Sequence, residues 1–184
     1  MAESEYDALA RHLRSKPGVV LQAYPSLLVL QALQSLVAEV TLNGGNVVLL
    51  IDAPRALVDP ELLAPWRPLL DGAYLAEKFH EGNAFLGTVS RFAGALRDSE
   101  HDAWVERIGL LLLPRGEDIF TRPYAWELMA FALRDRFASR GVNELPRTVV
   151  VLEPRRKPES AIRDALPIYA TAKHAERDAW TQYK

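Results

Sequence analysis

The sequence predicts a three-layer α/β domain in which a mostly parallel central sheet carries helices on both faces. Short runs of consecutive aliphatic residues recur along the chain, and each is bounded by turn-forming residues. Runs of this kind are typical of strands that are buried on both faces of a parallel sheet. Longer segments with helical periodicity separate the runs. Residues 47–51 and 108–113 are the clearest strands, because almost every side chain in them is aliphatic.

The first part of the chain is expected to alternate helix and strand. The predicted elements are a helix over 4–15, a strand over 18–24, a helix over 25–42 and a strand over 46–52. Ser4 is a suitable N-cap for the first helix, and Pro25 can open the second. The second helix is apolar except on one narrow face, so we expect it to be mostly buried. Asn43 and Gly44 supply a left-handed cap at its end.

The same alternation continues to the last predicted core strand. The predicted elements are a helix from Asp59, a strand over 73–79, a helix over 84–98, a strand over 108–113, a helix over 123–140 and a strand over 147–153, with a further possible strand near 168–172. Asn83 is the expected N-cap of helix 84–98, and Gly87 and Gly94 are expected to let that helix pack closely. Strands that alternate with helices predict a parallel sheet with right-handed crossovers.

Length and composition favour one domain without a membrane span. The 184 residues are expected to form a single α/β domain, with a core over about 18–153 and a C-terminal extension over 154–184. The sequence contains no cysteine, which excludes disulfides and thiolate metal sites. No apolar run approaches the roughly 18 residues of a membrane helix, so no membrane partner is expected. We expect a cytoplasmic protein, or a nuclear one in a eukaryote.

The residue types that carry common α/β chemistry are missing at the places where they are needed. A P-loop requires G-x-x-x-x-G-K-[ST] between the first strand and its helix, whereas residues 21–27 read Leu-Gln-Ala-Tyr-Pro-Ser-Leu. The Rossmann glycine pattern and G-x-S-x-G are also absent from the sequence. The four histidines have no metal-ligand spacing; they are His12, His80, His101 and His174. We therefore expect no cofactor, no metal and, on balance, no enzymatic activity.

One carboxylate stands where an α/β ligand site is expected. Asp52 follows the second strand, and Pro54 stops the strand from continuing. Ligands of open α/β sheets bind outside the carboxyl ends of the strands. Asp52 could act there with Glu77 and His80 in an unrecognised active site, although a lone acid at this position more often caps a loop. His101 and Asp102 are expected on a helix surface.

Positive charge is concentrated in the second half of the chain. The net charge is −2, but residues 1–106 carry −6 and residues 107–184 carry +4. Two loops that follow predicted strands hold the candidate DNA-binding residues, which are Arg115, Arg122, Arg155, Arg156 and Lys157. Such side chains could contact phosphates, although Glu117 and Asp118 weaken the first loop. The alternative is that these loops are simply solvated surface.

The chain resembles the ATPase core of the RecA-type recombinases, in the group of archaeal RadA/RadB proteins and eukaryotic recombinase paralogues. The resemblance spans roughly residues 18–153. Residues 48–52, Val-Leu-Leu-Ile-Asp, followed by 59–63, Asp-Pro-Glu-Leu-Leu, are similar to the second core strand of that family and its helix. Residues 74–79 resemble the next strand, and Ile108–Leu113 occupies the place of the Walker B strand.

The chain departs from the family at all three catalytic positions. It has no Walker A motif, Pro54 replaces an acid after the strand-ending Asp52, and Pro114 stands where Walker B should end in Asp. A Phe-x-x-Ala pattern at 92–95 lies in a predicted core helix rather than in an interprotomer linker. The resemblance implies a non-catalytic RecA-like accessory protein in recombination and repair, which binds a partner recombinase, a paralogue or DNA. The enzyme described above and a pure protein-interaction module remain alternatives.

Overall fold

Five parallel strands form the sheet of this protein, with helices on both of its faces. The fold is given by a computed structural model that describes residues 4–15, 18–22, 27–50, 69, 82–114, 123–138 and 146–152. The strands are β1 (Gly18–Gln22), β2 (Asn46–Leu50), β3 (Ala84–Gly87), β4 (Ile108–Leu113) and β5 (Arg147–Leu152). The helices are α1 (Glu5–Ser15), α2 (Leu27–Leu42), α3 (Val89–Leu96), α4 (Asp102–Glu106) and α5 (Pro123–Ala138). The predicted α/β class and parallel sheet are confirmed.

The strands lie in the order β1-β5-β4-β2-β3, so the last strand in the chain separates the first from the centre of the sheet. Every neighbouring pair is parallel. The register pairs Val20 with Val150 at one end of the sheet and Val48 with Phe85 at the other. Strands β5, β4 and β2 have neighbours on both sides, which explains why their sequences are nearly all aliphatic.

Side chains on the two faces of the sheet belong to two separate hydrophobic clusters. Each cluster lies between the sheet and the helices on that face. Leu110 and Leu112 of β4 pack with helices α1 and α2 on one face, whereas Leu111 and Leu113 pack with α3, α4 and α5 on the other. The chain crosses the sheet in one direction through α2 and in the opposite direction through α3, α4 and α5. Crossovers of a single hand then require these helices to lie on opposite faces, as they do.

The helix predicted over 84–98 is wrong in its first turn. Ala84–Gly87 is strand β3, which pairs with β2, and helix α3 begins only at Val89 with Thr88 as its N-cap. Backbone pairing along β2 satisfies the amide groups of this segment in the sheet. The strand predicted over 73–79 lies outside the described residues, as do the helix predicted from Asp59 and the possible strand near 168–172.

The two glycines assigned to close helix packing do something else. Gly87 lies in β3, where an added Cβ would stand 2.8 Å from Cζ of the Phe85 ring. Gly94 does lie in helix α3, but it is exposed, and a Cβ there would meet nothing within 4 Å. The predicted close packing is therefore wrong for Gly94, and at Gly87 the close neighbour is an aromatic ring.

A bulge at Gly109 brings helix α2 close to the sheet. Asn46 pairs with Ile108, but Val47 pairs with Leu110, so β4 holds one residue more than β2 at this point. A Cβ on Gly109 would lie 2.8 Å from Cγ1 of Val40, and one on Gly45 would lie 2.7 Å from the same atom. Val40 of α2 therefore fits against two glycines, one in the turn before β2 and one in β4.

The helix caps follow the sequence closely. The Asp7 amide donates to Oγ of Ser4 at 3.1 Å, which confirms Ser4 as the N-cap of α1. At the C-terminal end of α2, Gly44 has a φ of +79°, as the predicted left-handed cap requires. Helix α1 is tied to the sheet because Nη1 of Arg147 donates to the carbonyl of Leu13 at 2.6 Å.

Candidate functional site at the carboxyl edge of the sheet

All five strands end on the same edge, because the sheet is parallel throughout the described residues. Along this edge the last residues of the strands follow one another in the order Gln22, Leu152, Leu113, Leu50 and Gly87. Loops that leave this edge are the usual place for ligand binding in open α/β sheets. A ligand site is therefore expected along this edge.

The connections single out one position on that edge, between β2 and β4. From β2 the chain continues to β3 on one side, whereas from β4 it continues to β5 on the other. Two neighbouring strands whose connections leave in opposite directions form a topological switch point, and the crevice there is the favoured ligand position. The two strands that flank this position end at Leu50 and at Leu113, and Pro114 follows Leu113; all three residues are buried.

The predicted candidate residues follow these strand ends in the sequence. Asp52 is the second residue after Leu50, Arg115 follows Pro114, and Arg122 precedes α5. Three more cations, Arg155, Arg156 and Lys157, follow the end of β5. These residues, together with Glu77 and His80, lie outside the described residues.

One further cation lies at the carboxyl edge, and it was not among the predicted candidate residues. Arg91 is exposed in the first turn of α3, beside the end of β3, and its guanidinium carbon lies 5.9 Å from the centre of the Phe85 ring. Oγ1 of Thr88 accepts a hydrogen bond from the Arg91 amide at 3.3 Å. The arrangement places a positive charge at the carboxyl edge. The sequence signal was Thr88, a residue type that is preferred at helix N-caps.

The polar contacts at the opposite edge hold the fold together. Nδ2 of the buried Asn46 donates to the carbonyl of Trp104 at 2.8 Å, and Nε1 of Trp104 donates to the carbonyl of Gly82 at 2.6 Å. Helix α4 is thereby joined to the starts of β2 and β3. Because these bonds satisfy buried donors, their role is structural.

His101 and Asp102 also lie toward this opposite edge, just before β4. Asp102 forms an ion pair with Arg136 of α5, and the His101 side chain is 15% exposed. They were expected on a helix surface; the Asp102 side chain is 45% exposed, as expected, whereas the His101 side chain is largely covered. The pair joins α4 to α5 and lies away from the carboxyl edge.

Two further observations concern metal ligands and membrane spans among the described residues. Within them, no three His, Cys, Asp or Glu side chains are grouped closely enough to hold a metal ion. The helices in the same ranges include none that is long and apolar enough to cross a membrane.

Comparison with known proteins adds no further constraint on the site. No protein-family model matches the sequence, and no curated protein is significantly similar to it.

Proposed function

We propose that this chain is a RecA-like accessory protein that takes part in DNA recombination and repair without hydrolysing ATP. It acts by binding a partner recombinase or paralogue, or DNA. The proposal rests on two sequence segments. Residues 48–52 resemble the second core strand of the recombinase core, and residues 59–63 resemble the helix that follows that strand. Residues 48–50 of the first segment belong to β2, which lies in the interior of the sheet.

The position of a second strand supports the same proposal. By the resemblance, strand β4 corresponds to the Walker B strand, and it lies beside β2 with Val48 opposite Leu111. In P-loop NTPases, groups from Walker A and Walker B act on the same phosphates and Mg²⁺, so both strands must end on one edge. The ends of β1 and β4 meet that requirement here.

The residues at those strand ends argue against ATP hydrolysis. The segment after β1 offers neither the glycines that would wrap a phosphate nor the lysine that would reach it. Pro114 follows β4 where a magnesium-binding carboxylate would be required. A protein that keeps the scaffold and loses these groups is suited to binding a partner.

The strand order favours a DNA contact at the carboxyl edge. Strands β4 and β5 are neighbours, and the residues that follow them in the sequence include Arg115 and the run 155–157. Arg91 adds a further cation at the same edge. Phosphate contacts by such groups are independent of base sequence, so the expected binding is non-specific.

The experiment for the non-catalytic part is an ATP turnover assay on the purified protein, with and without single-stranded DNA. We expect no turnover above background, because no group is placed to hold the β and γ phosphates. Turnover that is abolished in Asp52→Ala but retained in Asp135→Ala, a change at an exposed position of α5, would contradict the proposal.

The same result would favour the alternative function, an enzyme with its site near Asp52, Glu77 and His80. One observation supports this alternative: β2 ends at the switch point, where α/β enzymes place their ligands, and Asp52 is the second residue after β2 in the sequence. A screen of small-molecule ligands by thermal shift would separate the two functions. A ligand that stabilises the native protein but not Asp52→Ala supports the enzyme.

A further inference from the structure

The turn between α2 and β2 presents a reactive pair of residues to solvent. Asn43 is followed by Gly44, and both are exposed. A Cβ on Gly44 would meet nothing within 4 Å, so the α-carbon of Gly44 faces open space. An asparagine side chain can be attacked by the amide nitrogen of the following residue, and glycine hinders that attack least because it has no side chain.

We propose that Asn43–Gly44 is a site of spontaneous deamidation that ages the junction between α2 and the central strand β2. The amide nitrogen of Gly44 attacks Cγ of Asn43, the new N–Cγ bond forms, and the Cγ–Nδ2 bond breaks. Nδ2 leaves as ammonia with the proton that Gly44 loses, which gives a succinimide. Water then opens the ring at one of its two carbonyls and leaves aspartate or isoaspartate.

The helix cap controls the rate of this reaction. The attacking nitrogen of Gly44 donates to the carbonyl of Thr41 at 3.1 Å, and the next amide, that of Gly45, donates to the carbonyl of Val40 at 2.9 Å. The Gly44 nitrogen must leave its acceptor before it can reach Cγ of Asn43. Because the last turn of a helix frays more readily than its interior, opening of this cap limits the reaction.

The product would disturb a tightly built junction. Isoaspartate adds one atom to the main chain, and there is little slack to absorb it because the Gly45 α-carbon is packed against Val40. The Asn46 amide, two residues after Gly44, donates to the carbonyl of Arg107 at 2.7 Å and starts β2. The new carboxylate also lies at the C-terminal end of α2, where a negative charge is unfavourable.

The test follows the full chain during incubation at mildly alkaline pH by peptide mass spectrometry. We expect the mass gain of amide-to-acid conversion at position 43, with isoaspartate confirmed by isoaspartyl methyltransferase labelling. Asn46 is the internal control, because it is buried, its side-chain Nδ2 donates to the carbonyl of Trp104, and the β-branched Val47 follows it. No conversion at 43 when a synthetic peptide of residues 39–47 has reacted completely would overturn the proposal.

Two variants and one condition test control by the cap. Asn43→Gln should show no conversion at position 43, since its longer side chain does not form the five-membered ring. Gly45→Ala should react faster than the wild type, because its Cβ would lie 2.7 Å from Val40 and displace the cap. Urea below the unfolding midpoint should accelerate the wild type in the same way if Gly45→Ala fails to fold. A rate that is insensitive to both changes would contradict control by the cap.

Discussion

At the scale of single residues, Gly94 and Gly109 differ in what an added methyl group would meet. Gly94→Ala should raise the free energy of unfolding by about 0.5–1 kcal/mol, because the position is helical and nothing lies within 4 Å of a Cβ. Gly109→Ala should lower it by about 1–3 kcal/mol, because the methyl group would overlap Val40, whose side chain is stiff.

Chemical denaturation of the two variants checks this pair, since each makes the same chemical change. The prediction is contradicted if the two free energies of unfolding shift in the same direction. Gly44→Ala provides a further comparison, because it should destabilise through its positive φ rather than through contact.

At the scale of the elements, the aliphatic strands should dominate stability. Leu111→Ala and Leu50→Ala remove fully buried side chains from β4 and β2, and each should cost about 2–5 kcal/mol. Leu42→Ala at the exposed end of α2 is the matched control and should change stability by less than about 0.5 kcal/mol. Denaturant midpoints that move equally for Leu111 and Leu42 would show that β4 is not a central strand.

The elements predicted correctly are those whose signals are local. The aliphatic run of β4 and the Asn43–Gly44 cap depend on neighbouring residues alone, and the structure contains both. Strand β3 was missed because Phe85 and Phe92 have helical spacing. The two rings do lie 5.7 Å apart, but Phe85 reaches Phe92 from a strand that pairs with β2. A partner so distant in sequence leaves no trace in local periodicity.

The candidate site shows the same division. That Asp52 and Arg115 follow strands could be predicted from the aliphatic runs and the prolines after them. The switch point could not, because it depends on the order of strands in the sheet. Arg91 was missed because it lies at the carboxyl edge only if the helix starts after Thr88. The helix was predicted to start at residue 84.

At the scale of the whole molecule, DNA binding should be weak and sensitive to salt. A net charge of −2 produces no general attraction, so any contact must be local. With about two to four phosphate contacts, log affinity should fall with log salt at about 0.9 per contact on duplex DNA, or about 0.7 on single strands.

Fluorescence anisotropy with a labelled oligonucleotide checks this at several salt concentrations. A combined change of Arg155, Arg156 and Lys157 to Ala should lower both the affinity and the salt slope. Arg91→Ala, which removes the cation in the first turn of α3, should lower the same two quantities. A control change of Arg14, which pairs with Glu39 on the α1–α2 side, should leave both quantities unchanged. Binding that persists unchanged in the triple variant would place the DNA on another surface.

We propose that this protein acts by binding a recombinase, a paralogue or DNA. The most direct test of this proposal is affinity purification of the tagged chain from its native cell, with mass spectrometry of the eluate and an unrelated tagged protein as control. We predict a RecA-type recombinase or a second paralogue in specific excess, and direct binding when the two purified proteins are mixed. An eluate without either protein, together with no DNA binding at low salt, would contradict the proposed function.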